Sequence, residues 1–214
     1  MTPKTQRRQQ PSSRIKMNTV RHYFLYGKRF FDVAAASAFI LLFCWLYILI
    51  VLVYILFIRD TVLFKQERIG LNKKIFLLVK FRTLKNSETE MAPRKFWFGS
   101  FLRATSLDEL PQVFQVMTGK MSFIGPRPLP TEYLSLFSAE QNKRHLVKPG
   151  ITGWAQVNGR NSISWKKKFE FDLYYVQHLS FKFDLIIMAK TILLLLSFKK
   201  DVSLKEEKFT AVEK

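Results

Sequence analysis

A single cysteine, Cys44, in 214 residues excludes an internal disulfide and any cysteine-based metal site. It lies inside an apolar run, where it reads as a small hydrophobe and not as a reactive thiol. Acidic residues are scarce as well, 16 Asp+Glu against 35 Lys+Arg, leaving a formal net charge of +19. That balance points to a polyanionic partner: nucleic acid, anionic lipid headgroups or phosphorylated substrates. Nucleic acid is the weakest of the three, because the basic residues are scattered among apolar segments and do not cluster on a recognisable binding module. The stretch Val33–Ile58 contains no charge, no proline and no glycine. It exceeds the roughly 20 residues that span a bilayer core as a helix, is too long for a cleaved signal peptide and is followed by no small-residue cleavage pattern. The remainder is enough for one ordinary domain, and the aromatic content (15%, 21 Phe) suits a membrane interface.

Orientation is left open by the charges. Eight Lys/Arg and no acid precede Asp32, and Lys65, Arg68, Lys73, Lys74 and Lys80 follow the apolar run, so both flanks favour the cytosol. Either the segment spans once with one basic flank translocated, or it enters and leaves by one face as a re-entrant element. The latter fits the charge symmetry, although a bend inside the bilayer ordinarily has a Pro or Gly as its cause. Four regions follow: a disordered basic arm over 1–20, a membrane helix over 21–60, a cytosolic membrane-associated domain over 61–200, and a polar tail over 201–214. Within the domain, Val62–Gln66 and Lys74–Phe81 read as strands around a turn at Gly70-Leu71-Asn72. Residues 85–94 read as a polar loop, and the aromatic segment from Phe96 to Arg103 as an interfacial or a core helix. Leu110–Met117 has helical spacing with Gly119 at the C-terminal cap position. Glu170–Leu179 and Leu185–Leu196 are further helices, the last lying on or shallowly in the membrane.

Four constellations can carry chemistry. In Thr105–Pro111, Ser106-x-x-Glu109 matches a capping box, or Asp108 is itself the N-cap. The same geometry suits a reactive carboxylate, since a helix N-terminus attracts phosphate, adjacent carboxylates can share Mg²⁺, and an aspartate can form an acyl phosphate. Gly125-Pro126-Arg127-Pro128 presents one guanidinium between two rigid residues, suited to bidentate phosphate binding. In Lys148–Asn161, Pro149-Gly150 suits a type II turn, Gly153 and Gly159 allow close backbone approach, and Arg160 offers another anion fork. Lys80-Phe81-Arg82 places two cations on one face of a strand.

Taken together these segments resemble the bacterial sugar transferase family, the monotopic phosphoglycosyl transferases. The resemblance is carried by Lys28–Asp32, Phe64–Gly70, Lys80–Thr83, Thr105–Gln112, Met121–Pro128, Lys148–Asn161 and Phe169–Tyr175, in family order across roughly residues 27–196. It implies an α+β, mostly helical monotopic membrane protein with a re-entrant N-terminal membrane helix, interfacial amphipathic helices and a small β element. The implied reaction is transfer of a sugar 1-phosphate from a UDP-sugar to undecaprenyl phosphate with release of UMP, as the first membrane step of capsule, exopolysaccharide or O-antigen assembly. By the same resemblance Asp108 is the nucleophile, Asp108 and Glu109 hold Mg²⁺, and Lys80, Arg82, Arg127 and Arg160 bind the phosphates or nucleotide. The implied location is the inner membrane with the domain on the cytosolic face, among anionic lipids; a homo-oligomer is left open. Family members often carry Ser-Pro at the break of the membrane helix, and Cys44-Trp45 stands there instead. A different class of function, a non-catalytic basic protein that binds anionic lipids, is the alternative.

Overall fold

The computed structural model describes residues 26–85, 95–159, 162–197 and Phe209. The apolar run forms α1, Lys28–Val53, which continues into a widened π turn over Tyr54–Ile58. Arg59, at φ 53°, closes that turn by donating its N–H to the Tyr54 carbonyl at 2.8 Å. Beyond Asp32, apolar residues at nearly every position make α1 apolar all round. One stripe nevertheless packs inward, through Ala36, Ile50 and Tyr54, while Leu41, Leu42, Trp45, Ile48, Leu49 and Leu52 stay exposed.

Strand β1 (Leu63–Ile69) pairs antiparallel with β2 (Ile75–Phe81), in the register Leu63↔Phe81 to Ile69↔Ile75. Both expected strands are present, with β1 running three residues further than its sequence pattern indicated. The turn between them takes Asn72 and Lys73 through positive φ, which asparagine tolerates well. Helix α2 (Trp97–Ala104) turns Phe98, Gly99 and Leu102 inward, as the core reading of that segment required, and leaves Trp97 and Phe101 exposed.

Helix α3 spans Gln112–Met117 and ends as expected at Gly119, φ +81°. The N–H of Lys120 donates to the Gln115 carbonyl and that of Gly119 to Val116, a complete Schellman motif. The Val116 carbonyl and that of Met117 also accept from the Arg29 guanidinium at 2.5 Å each, tying the start of α1 to the end of α3.

Strands β3 (Ser122–Ile124) and β4 (Gly150–Thr152) form a short parallel pair. Pro149-Gly150 is therefore not a type II turn. Gly150 lies in β4 and lacks the positive φ that turn needs; it is required because a Cβ there would stand 2.1 Å from the Gly125 nitrogen. After β4 come α4 (Trp154–Val157), α5 (Trp165–Gln177) and α6 (Phe181–Leu196). Ser164 and Ser180 cap the last two by accepting from Lys167 and Phe183, and these caps set helix starts several residues earlier than the apolar spacing suggested.

Buried polar contacts hold α1 to the rest. Lys28 pairs with Asp184 at 2.5 Å, and Asp184 also accepts from the Tyr175 hydroxyl at 2.8 Å. Asp32 accepts from Ser122 Oγ at 3.0 Å and from the Phe123 N–H at 3.1 Å. Towards the far end of the helix, Tyr47 donates to the Leu110 carbonyl at 2.8 Å and Tyr54 to that of Arg82. One helix thus touches the same polar domain at both of its ends.

Candidate active site

Asp108 and Glu109 lie on a single 3₁₀ turn, Leu107–Glu109, between α2 and α3. Ser106 takes a left-handed conformation (φ 58°) that reverses the chain into this turn, and its side chain caps nothing. The capping box is therefore not formed. Asp108 is not an N-cap either: α3 begins after Pro111, whose missing N–H is harmless there. Leu107 and Leu110 pack into the cluster of Ile50, Tyr54 and Phe81, so the apolar helix and β2 form the wall behind the carboxylates.

Asp108 is 6% exposed, and among the described residues its carboxylate accepts no hydrogen bond and makes no ion pair. Burial pushes its pKa up to about 6, and the Glu109 charge adds to the rise. Lys80, Arg103 and Arg127 oppose it. Lys80 is itself pushed down by burial, with the Asp108 charge acting the other way. Removal from water costs both groups more than the other's field returns, so the two sit in a poorly hydrated recess. A carboxylate that titrates near 6 is still mostly ionised at pH 7 and is more basic, hence more nucleophilic, than a solvated one.

Each surrounding cation is placed by a different device. The Gln115 amide locks α3 to β2, donating to the Leu77 carbonyl at 2.5 Å and accepting from the Val79 N–H at 3.2 Å. Lys80 follows directly. Lys80 Nζ and the Arg82 guanidinium lie 5.7 and 5.9 Å from the Phe64 ring, on one face of the hairpin as their alternation requires. Arg127 donates to Glu109 Oε1 at 2.9 Å, joining two sites that the sequence separates. Arg103 donates to Thr83 Oγ1 at 2.7 Å and adds to the field on Asp108. Sequence reading missed it as a site residue, although its place five residues before Asp108 was a usable signal. Arg160 lies outside the described residues.

The backbone of the Pro126-Arg127-Pro128 segment is pinned from both sides. Arg68 donates to the Pro128 carbonyl at 3.3 Å and the Ile69 N–H to that of Leu129 at 3.0 Å. Arg144, 3% exposed, donates to the Arg127 carbonyl at 2.8 Å and holds Asp172 Oδ2 through Nη2 at 2.7 Å and Nε at 3.0 Å. Neither Arg144 nor Asp172 was singled out as a site residue from the sequence, where each is one charge among several neighbours. The segment's entry is packed tightly against the chain leading into β4, since a Cβ on Gly125 would come within 2.3 Å of the Lys148 carbonyl oxygen.

Among the described residues no group of three His, Cys, Asp or Glu side chains converges as a metal cage would require. Two adjacent carboxylates fit Mg²⁺ nonetheless, because that ion commonly takes one or two protein carboxylates and completes its shell with substrate phosphates and water. Asp108, with no hydrogen bond to give up, suits such a role.

The ionised form of Asp108 is the one that could react with an electrophilic centre. A single-turnover rate that depends on it is therefore expected to fall about tenfold per pH unit below pH about 6. A rate unchanged from pH 7 to pH 5 would show that Asp108 is not the group being titrated.

Comparison with known proteins completes the picture. The family model described as bacterial sugar transferase matches residues 23–198. The chain is 47% identical over 174 residues to the uncharacterised sugar transferase EpsL of Bacillus subtilis, covering 77% of this chain and 85% of that protein. It is 36% identical over 189 residues to the exopolysaccharide production protein ExoY of Rhizobium meliloti, covering 78% and 84%. It is also 39% identical over 182 residues to the UDP-glucose:undecaprenyl-phosphate glucose-1-phosphate transferase of Escherichia coli, covering 77% of this chain but 39% of that longer protein. By the extent of the model match and by these identities, the chain belongs to the bacterial sugar transferase family.

Proposed function

We propose that this protein transfers a sugar 1-phosphate from a UDP-sugar to undecaprenyl phosphate, releasing UMP, through a covalent phosphosugar–aspartyl intermediate on Asp108. The observation that carries the reading is Asp108 itself: buried, unpaired among the described residues, held near pKa 6 and faced by Lys80, Arg103 and Arg127. The printed names of relatives agree in chemistry, the E. coli protein being a glucose-1-phosphate transferase and an Aeromonas hydrophila relative, 36% identical, an N-acetylgalactosaminephosphotransferase, both acting on undecaprenyl phosphate.

In the first step an Asp108 carboxylate oxygen attacks the sugar-linked phosphorus. The bond from that phosphorus to the bridging oxygen breaks, and UMP leaves with the electron pair. In the second step an oxygen of the polyprenyl phosphate attacks the same phosphorus and the acyl-phosphate bond breaks, restoring the carboxylate. In this reading Lys80, Arg103 and Arg127 hold the diphosphate, and the family resemblance assigns Arg82 and Arg160 to the phosphates or nucleotide. Arg127, anchored on Glu109, keeps the reacting phosphate in line with Asp108. Asp108 and Glu109 would hold Mg²⁺, and the chemistry such an ion would supply is neutralisation of negative charge on the phosphoryl group.

The membrane placement belongs to the same reading. The helical stretch Lys28–Ile58 is long and apolar enough to cross a bilayer, with mean hydropathy 3.0 in its most apolar window. Contacts from Arg29 and Asp32 at one end and Tyr47 and Tyr54 at the other keep the polar domain alongside it. A helix clasped in this way cannot put its basic flanks on opposite sides of a membrane without dragging that domain across, which supports a monotopic arrangement on the cytosolic face of the inner membrane. The exposed faces of α2 and α6, with Trp97, Phe101, Leu185, Leu193 and Leu196, would then lie in the interface among anionic lipids.

The test is a panel of UDP-sugars offered to the purified protein in lipid with undecaprenyl phosphate and Mg²⁺. UMP release and a sugar-phosphate on the lipid are expected with at least one donor. A lipid-only product count of zero across the panel, with the protein folded, would sink the reading.

A further inference from the structure

Beyond α6 the chain is polar, and from Lys199 to Lys214 it contains a single aromatic residue, Phe209. That residue is 2% exposed. Its ring is enclosed by Phe169 at 5.1 Å, Trp165 at 5.4 Å, Tyr133 at 5.7 Å and Phe137 at 5.9 Å between centroids. An isolated phenylalanine in a polar tail gains by burial only if a socket is waiting for it, and here the socket is aromatic on four sides.

Two walls of that socket do a second job. Phe137 and Phe169, set edge-on at 90°, lie 5.9 and 5.6 Å from the Arg144 guanidinium carbon. Arg144 is the residue that holds Asp172 and donates to the Arg127 carbonyl, and Arg127 holds Glu109. An unbroken series of contacts therefore runs from Phe209 through the aromatic walls to Arg144, then to the Pro126-Arg127-Pro128 segment and the catalytic carboxylates. Emptying the socket would let Phe137 and Phe169 collapse inward, and Arg144 lies against both.

We propose that Phe209 is a positioning residue: the C-terminal segment docks its one ring behind Arg144 and thereby holds Arg127 in the register that meets Glu109. Its effect on turnover rests on the transferase reading above; its effect on the fold does not.

The experiment uses full-length protein in lipid and the series Phe209→Leu, Phe209→Val and Phe209→Ala, which leaves progressively more of the socket empty. The expected result is a graded fall in kcat/KM for the nucleotide sugar, reaching about tenfold for alanine and carried mainly by KM, with leucine within about threefold of the parent. In parallel, hydrogen exchange well below Tm should quicken at the Gly150 amide, which donates to the Pro126 carbonyl at 3.0 Å, and across Gln141–Leu146. If the alanine variant does not fold, the leucine and valine variants decide by the same gradation. Variants that lower Tm but leave kcat/KM and exchange at Gly150 unchanged would overturn the proposal and reduce Phe209 to a packing residue. Should the parent turn over no UDP-sugar, the transferase reading falls, while quickened exchange at Gly150 would still uphold the positioning role and unchanged exchange would end it.

Discussion

Asp108→Asn is expected to abolish UMP release, by at least about three orders of magnitude, while making the folded protein more stable at neutral pH. The first half follows from chemistry: a neutral amide offers no carboxylate oxygen to attack phosphorus. The second follows from burial. The folded-state pKa of Asp108 is raised to about 6 from an ordinary 3.8, so the native protein holds an extra proton between those values. The stability this contributes is fully present below pH about 4 and is lost as pH rises through 6, because a charged, poorly hydrated carboxylate must then be kept in the fold. Asparagine never carries that charge. The gap between variant and parent should be small near pH 4 and grow to roughly 1–3 kcal/mol at pH 7, read as Tm against pH. Retained UMP release would remove Asp108 from the mechanism. A variant less stable than the parent at pH 7 would mean that the carboxylate serves the fold.

Local features of this structure were legible in the sequence, because local physics determines them. The uncharged run had to be a helix, the β-branched and aromatic residues around Gly70–Asn72 had to be a hairpin, and Gly119 had to end α3. The mixed, mostly helical class with a small β element follows from the same signals. Two local patterns misled. Ser106-x-x-Glu109 has the residues of a capping box, but Ser106 is used to reverse the chain. Pro149-Gly150 has the residues of a type II turn, but Gly150 is there for want of space. In both, tertiary contact chose among conformations that the dipeptide alone permits.

What could not be read was the wiring between distant residues. Lys28 meets Asp184 across most of the chain, and Arg144 meets Asp172 with the whole of β4 and α4 between them. Charge pairs of this kind carry no spacing signature. The cations Lys80 and Arg127 were singled out by their strand alternation and flanking prolines, but only the fold brings Arg127 onto Glu109. Arg103 escaped notice because its helix was judged by its aromatics. The carboxylate pair itself was legible as chemistry and illegible as environment: no pattern in Thr105–Pro111 reveals that Asp108 is buried or that its largely buried neighbour Glu109 meets Arg127.

Asp172→Asn is expected to be the most destabilising single change in the domain, by about 3–5 kcal/mol. Arg144 and Asp172 are each 3% exposed, and two hydrogen bonds to one carboxylate oxygen compensate the guanidinium charge. The arginine cannot shed its proton when that partner is lost, so the variant must bury an uncompensated cation or open the packing of α5 against Gln141–Leu146. Thermal unfolding in lipid should show the loss directly. The double variant Arg144→Leu with Asp172→Leu should recover most of it, since both positions border the apolar cluster of Phe137, Phe169 and Trp165, and two leucines bury no charge. Its activity should not recover. Without Arg144 the Arg127 carbonyl loses its 2.8 Å donor, and Arg68, at 3.3 Å on the Pro128 carbonyl, is a longer hold on the same segment. Stability and catalysis should therefore separate in one molecule: a double variant with near-parental Tm and a raised KM for the nucleotide sugar. A double variant that matches the parent in both would leave Arg144 with no part in aiming Arg127.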